Sequence, residues 1–181
     1  MVLGDSISAA YGLAESSGWV HLLATALKTS HPQSRVVNAS VSGETTTGGL
    51  QRLPDALNRF SPDIVIIELG GNDGLRGQSL ELMRSNLSAM IALTIDAGAK
   101  PILVGMRIPP NYGKVYADGF HQTFIDVATE KTIPLVPFLL EPIAEDRRYF
   151  QPDGIHPTAE AQPLLLEQVL PTVDTLMSFT E

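Results

Sequence analysis

Residues 63–70 read Asp-Ile-Val-Ile-Ile-Glu-Leu-Gly, and no other stretch of the chain restricts its fold so strongly. Four β-branched residues stand in a row directly after Pro62 and Asp63. A strand with one face in water alternates apolar and polar side chains. An unbroken apolar run fits a strand buried on both faces, the condition of a parallel sheet covered by helices on either side. Residues 35–41 (RVVNASV) and 101–108 (PILVGMRI) have the same character, and 133–139 (IPLVPFL) is a weaker run interrupted by prolines.

The segments between these runs carry helical spacing. Trp19, Val20, Leu22, Leu23, Ala26 and Leu27 form one apolar face. Leu50, Leu53 and Leu57 form a second, with Pro54 as a kink or a start. Leu80, Met83, Leu87, Met90, Ile91 and Ile95 form a third, ended by Gly98. Phe120, Phe124, Val127 and Ala128 form a fourth, and Leu164, Leu165, Val169, Val173 and Leu176 a last one expected to break near Pro171. This βαβαβαβα order predicts an α/β fold, a three-layer α/β/α sandwich with right-handed crossovers. At 181 residues, with no repeat or linker, the chain is expected to form a single domain over residues 1–181.

Charge and composition narrow the function. Twenty acidic residues against twelve basic ones, the longest basic run being Arg147-Arg148, argue against binding a polyanion or inserting stably among anionic lipids. No apolar run reaches the ~18 residues of a membrane span. The absence of cysteine removes disulfides, thiolate metal sites and a cysteine nucleophile together. His21, His31 and His121 are scattered and lack metal-ligand spacing. GETTTGG resembles a phosphate loop but lacks the required lysine.

In such sheets ligands gather at the carboxyl ends of the strands. Four small polar motifs fall there: Gly4-Asp5-Ser6, SVSGETTTGG at 40–49, GGND at 70–73 and PDGIHPT at 152–158. Ser6 alone reads as a turn serine as readily as a nucleophile. A serine needs a base within hydrogen-bond reach, and the base needs an orienting group. Asp153 and His156, three residues apart, offer both. Acyl transfer also needs donors waiting for the developing oxyanion. The backbone N–H groups of Ser6 and Gly43 and the side-chain amide of Asn72 are the candidates. Each has an ordinary reading too: Gly43 as a permissive backbone, Asn72 as a turn cap, His156 as a surface histidine.

The four blocks in this order resemble the SGNH (GDSL-type) hydrolase superfamily. The longer stretches GDSISAAYGL, SGETTTGGLQRLPDAL, ELGGNDGLRG, IPPNYG and DGIHPTAEAQP resemble its bacterial thioesterase I / arylesterase / lysophospholipase L1 branch, over nearly the whole chain. The resemblance implies a flavodoxin-like five-stranded parallel sheet. It implies a serine esterase or thioesterase with no cofactor and no metal, acting on aryl esters, acyl thioesters such as acyl-CoA, or lysophospholipids. Ser6, Asp153 and His156 would be catalytic, and Ser6, Gly43 and Asn72 would form the oxyanion hole. The loop GLRGQ after Asn72 would line the acyl groove, with MRIPPNY opposite, so that Leu75, Ile108 and Pro109 contact substrate. A monomer is expected, with a small acyl ester or thioester as its partner and no nucleic acid. A carbohydrate acetylesterase on the same triad is the alternative, and a non-catalytic flavodoxin-like binding module a distant one.

Only Met1-Val2-Leu3 precede Gly4, whereas a strand usually runs about five or six residues. The sequence is therefore expected to begin partway along its first strand, through a trimmed or misplaced start, and the resemblance makes that strand central. It also implies an exported protein, periplasmic or secreted, with the cytoplasm as the alternative.

Overall fold

A computed structural model describes residues 1–178. The β-branched run forms β2 (Ile64–Glu68), which lies between β1 (Val2–Gly4) and β3 (Lys100–Val104), with β4 (Leu135–Val136) beyond β3. All pairings are parallel, in the register Val2↔Ile66 and Ile66↔Ile102. Every residue of β2 after Ile64 is buried, as a strand covered on both faces must be.

The sheet has four strands in the order β1-β2-β3-β4, one fewer than expected. Residues 35–41 do run beside β1, but only as an isolated bridge, Val2↔Asn38. Val2 N–H donates to the Val37 carbonyl and Ala39 N–H to the Val2 carbonyl, both at 2.8 Å. Val41 N–H also donates to the Gly4 carbonyl at 3.0 Å, but side chains take the groups between. The Arg52 guanidinium donates to the Ala39 carbonyl, and Ser40 N–H donates to Asn38 Oδ1 at 3.2 Å. Side-chain bonds thus replace part of the ladder that would make this edge a full strand.

Helices α1 (Trp19–Ser30) and α6 (Gln162–Ser178) pack on each other, while α2 (Thr46–Phe60), α4 (Leu80–Asp96) and α5 (Lys114–Lys131) form a row. The core between helices and sheet includes Leu3, Trp19, Leu53, Ile67, Phe120 and Phe124, all fully buried. The Trp19 backbone N–H donates to Gln162 Oε1 at 2.9 Å, joining the two helices of the first layer.

Two proline expectations are corrected. Pro54 does not start α2; the helix begins at Thr46, where Thr45 Oγ1 caps it by accepting from Gly48 N–H. Pro171 does not break α6, which runs through it to Ser178. A proline forfeits one backbone bond, and buried Leu165, Val169 and Val173 hold the two halves of α6 on one line. The GGND segment is not a bare turn but enters the short helix α3 (Gly71–Leu75). Among the described residues, no helix is long and apolar enough to cross a membrane.

Candidate active site

The turn after β1 is built around a buried acid. Asp5 is 2% exposed, and its Oδ1 accepts from Ile7 N–H at 3.0 Å. That bond folds the chain back so that Ser6 sits at the rim of the sheet. Ala9 N–H donates to the Asp5 carbonyl and Tyr11 N–H to the Ser6 carbonyl, at 2.9 and 3.0 Å. Beneath the turn lies Glu68, the last residue of β2 and 1% exposed. Its Oε2 accepts from Ser8 Oγ at 2.6 Å and from Asp5 N–H at 3.4 Å. Burial pushes the Asp5 carboxyl up to about 6, against the opposing pull of the Ile7 N–H, His156 and Asn72. Burial, and then the charge of Asp5, hold Glu68 well above the usual carboxylate range.

The second half of the site is a loop between the paired residues Phe150 and Pro157. Asp153 Oδ1 accepts from the N–H groups of Ile155 and His156 at 2.9 and 3.0 Å. Its Oδ2 lies 2.7 Å from His156 Nδ1, and these hydrogen bonds pull the Asp153 carboxyl down to about 2. An ionised carboxylate only accepts, so Nδ1 carries the imidazole proton and Nε2 is left as an acceptor. Nε2 lies 2.8 Å from Ser6 Oγ. The structure therefore brings Ser6, His156 and Asp153 into one line of hydrogen bonds.

Of the expected oxyanion donors, Ser6 and Asn72 line the same cavity, whereas Gly43 is not among its lining residues. Asn72 projects from α3 and donates one amide hydrogen to Asp5 Oδ2 at 3.1 Å, which leaves the other for a ligand. Gly43 stands in the loop before α2 at φ +79°, a conformation that favours glycine. Its carbonyl accepts from Arg76 Nη2 at 3.1 Å, which ties that loop to the end of α3. A buried network does the same one layer down. Asp73 accepts from Thr46 N–H at 2.9 Å and Thr46 Oγ1 at 2.6 Å, and Asn86 Nδ2 reaches Thr46 and Thr47.

The cavity beside Ser6 has a volume of about 570 Å³. Leu75, Ile108 and Pro109, expected from the sequence, all line it. So do Met106, the first residue of the expected MRIPPNY wall, and Phe138, Leu140, Ala144 and Ile155, which sequence reasoning missed. The signal was available: Phe138 and Leu140 follow β4, at the carboxyl edge where ligands bind. Among the described residues, no three His, Cys, Asp or Glu side chains cluster closely enough to hold a metal ion.

The chain is similar to known proteins in sequence and fold. The chain is 48% identical over 177 residues to esterase TesA of Pseudomonas aeruginosa, covering 98% of this chain and 88% of the relative. It is 37% identical over 178 residues to thioesterase 1/protease 1/lysophospholipase L1 of Escherichia coli K12, covering 98% and 84%. A crystal structure of TesA superimposes with a TM-score of 0.94 at 48% identity, covering 97% of each chain. The profile described as GDSL-like lipase/acylhydrolase matches residues 2–163, so the chain belongs to that family.

Proposed function

We propose that this chain is a serine esterase and thioesterase that hydrolyses acyl esters through an acyl-Ser6 intermediate. The observation that carries the reading is the line Asp153 Oδ2, His156 Nδ1, His156 Nε2, Ser6 Oγ, at 2.7 and 2.8 Å, opening into a cavity lined by apolar side chains. Ser6 Oγ attacks the acyl carbonyl as its proton passes to His156 Nε2. The Asp153 carboxylate, ionised down to about pH 2, holds the imidazole tautomer and stabilises the imidazolium. Negative charge on the carbonyl oxygen falls to the Ser6 and Gly43 N–H groups and the free amide hydrogen of Asn72. His156 then protonates the departing alcohol or thiol, and water attacks the acyl-serine by the same route in reverse.

Leu75, Met106, Ile108, Pro109, Phe138 and Leu140 favour an acyl chain over a sugar as the bound group. The relatives named as an esterase and as a thioesterase and lysophospholipase fit aryl esters, acyl thioesters and lysophospholipids as substrates. The whole chain reads as one catalytic domain working as a monomer, exported by analogy with its family.

The test is covalent labelling with a fluorophosphonate and hydrolysis of p-nitrophenyl acyl esters. Labelling at Ser6, abolished together with turnover in Ser6→Ala, supports the reading. Undiminished turnover by Ser6→Ala overturns it.

A further inference from the structure

Asp153 orients the imidazole within its own loop, but it does not register that loop on Ser6. Asp153 and His156 move as a unit; only contacts that cross between the two loops fix the distance from Nε2 to Oγ. Among the described residues, and besides the Ser6–His156 bond and the packing of the Tyr11 ring on the imidazole, the Gln151 side chain hydrogen-bonds across. Gln151 Nε2 donates to the Tyr11 carbonyl at 2.8 Å and to the Pro157 carbonyl at 3.0 Å, one amide hydrogen to each loop. The Gln151 backbone closes the His156 loop. Its N–H donates to the His156 carbonyl at 2.8 Å, and its carbonyl accepts from Gly154 N–H at 2.9 Å.

Tyr11 is in turn tied to the other loop, because its N–H donates to the Ser6 carbonyl at 3.0 Å. A route of hydrogen bonds therefore runs from the backbone of Ser6 through Tyr11 and Gln151 to the backbone of His156, apart from the side-chain bond between them. The Tyr11 ring also lies against the imidazole, with centroids 4.4 Å apart and planes tilted by 37°. Its π face meets the group that becomes cationic during the reaction. Gly12 makes room for the strap: at φ +74°, a Cβ there would lie 2.3 Å from Gln151 Oε1.

We propose that Gln151 is a positioning residue, whose carboxamide straps the Asp153–His156 loop to the turn following Ser6 and so fixes the imidazole against Ser6 Oγ and the Tyr11 ring. This rests on the catalytic reading above. Gln151 is not among the residues that line the cavity, so loss of its carboxamide is expected to act on the chemical step and not on binding.

Gln151→Met keeps length and removes both donors, while Gly12→Ala displaces the carboxamide from the other side. Both variants and their combination are assayed for kcat and KM on a p-nitrophenyl ester, for the rate of fluorophosphonate labelling, and for Tm. A misplacement of about 1 Å costs about 10²-fold, so each single variant is expected to lose about ten- to a hundredfold in kcat and in labelling rate. KM stays within about twofold of the parent value. The double variant falls no further than the worse single one, because both changes cut the same strap. Gln151→Met with kcat and labelling within twofold of the parent overturns the proposal, as do losses confined to KM or multiplied in the double variant. Should Gln151→Met not fold, Gly12→Ala decides by the same kcat and KM criteria. Ser6→Ala assayed alongside separates the two readings: turnover without Ser6 sinks the catalytic assignment, whereas an inert Ser6→Ala with an unimpaired Gln151→Met sinks only the strap.

Discussion

The acid beneath the Ser6 turn makes a quantitative prediction about pH. In the folded protein Asp5 holds its proton up to about pH 6; in the unfolded chain it releases it near 3.8. Between those values the folded state binds more protons than the unfolded one, so stability falls as pH rises. The contribution is fully present below about pH 4 and lost as pH climbs through 6. A shift of about 2 units at 1.36 kcal/mol each amounts to about 3 kcal/mol. Glu68, packed beside Asp5, is held well above the usual carboxylate range by its burial and by the charge of Asp5, so the two acids titrate as a pair. The perturbation is Asp5→Asn, which removes the titration while keeping the shape. Trp19, the only tryptophan and fully buried, reports unfolding by its fluorescence in urea. Asparagine cannot reproduce both acceptor contacts, to Ile7 N–H and Asn72 Nδ2, so the variant carries a fixed offset. That offset cancels when the stability difference between parent and variant is compared at pH 4 and pH 7. The difference is expected to change by about 3 kcal/mol in favour of the variant. Stability curves that stay parallel within about 1 kcal/mol across this range would refute burial of an ionisable Asp5.

Three further outcomes follow from the geometry. Asp73→Ala strands the N–H and hydroxyl of fully buried Thr46, and at about 1–3 kcal/mol per unsatisfied donor it should lower stability by about 3 kcal/mol in urea titrations. Asp153→Asn removes the acceptor that fixes the imidazole tautomer and should reduce kcat at pH 7 by about 10³–10⁴-fold with little change in KM, measured by steady-state kinetics. Ala144→Leu takes volume from the cavity, and each acyl methylene thereby excluded should cost about 0.8 kcal/mol, or about fourfold in kcat/KM, across a series of ester chain lengths.

The parts legible in sequence were those with local periodicity or local spacing. The run at Ile64–Glu68 declared a buried parallel strand because nothing polar interrupts it before Glu68. Asp153 and His156 declared themselves because three residues of separation suffice to join carboxylate to imidazole. What stayed hidden depends on partners far away in the chain. Glu68 reads as the end of a strand, and only the fold sets it under Ser8 and Asp5, some sixty residues away in sequence. Gln151 carries no motif, and its role arises from a carbonyl 140 residues earlier. The prolines at 54 and 171 misled because intrinsic helix preference is a weaker force than the burial of Leu53, Leu57, Val169 and Val173. The second strand shrank to one bridge as Arg52 takes the Ala39 carbonyl and Asn38 Oδ1 the Ser40 N–H, both side chains innocuous in the sequence.

The hydrogen bond between Ser6 and His156 spans 150 residues. On the proposed reading, a chain emerging from the ribosome therefore exposes Ser6 long before its proposed base, His156, exists. Until the His156 loop has been made and has docked beside β1, Ser6 is an unactivated alcohol with an ordinary hydroxyl's indifference to esters. On that reading the order of the chain works as a timing device: forms that stop short of His156 carry the serine without its proposed base, and activity comes with closure of the fold.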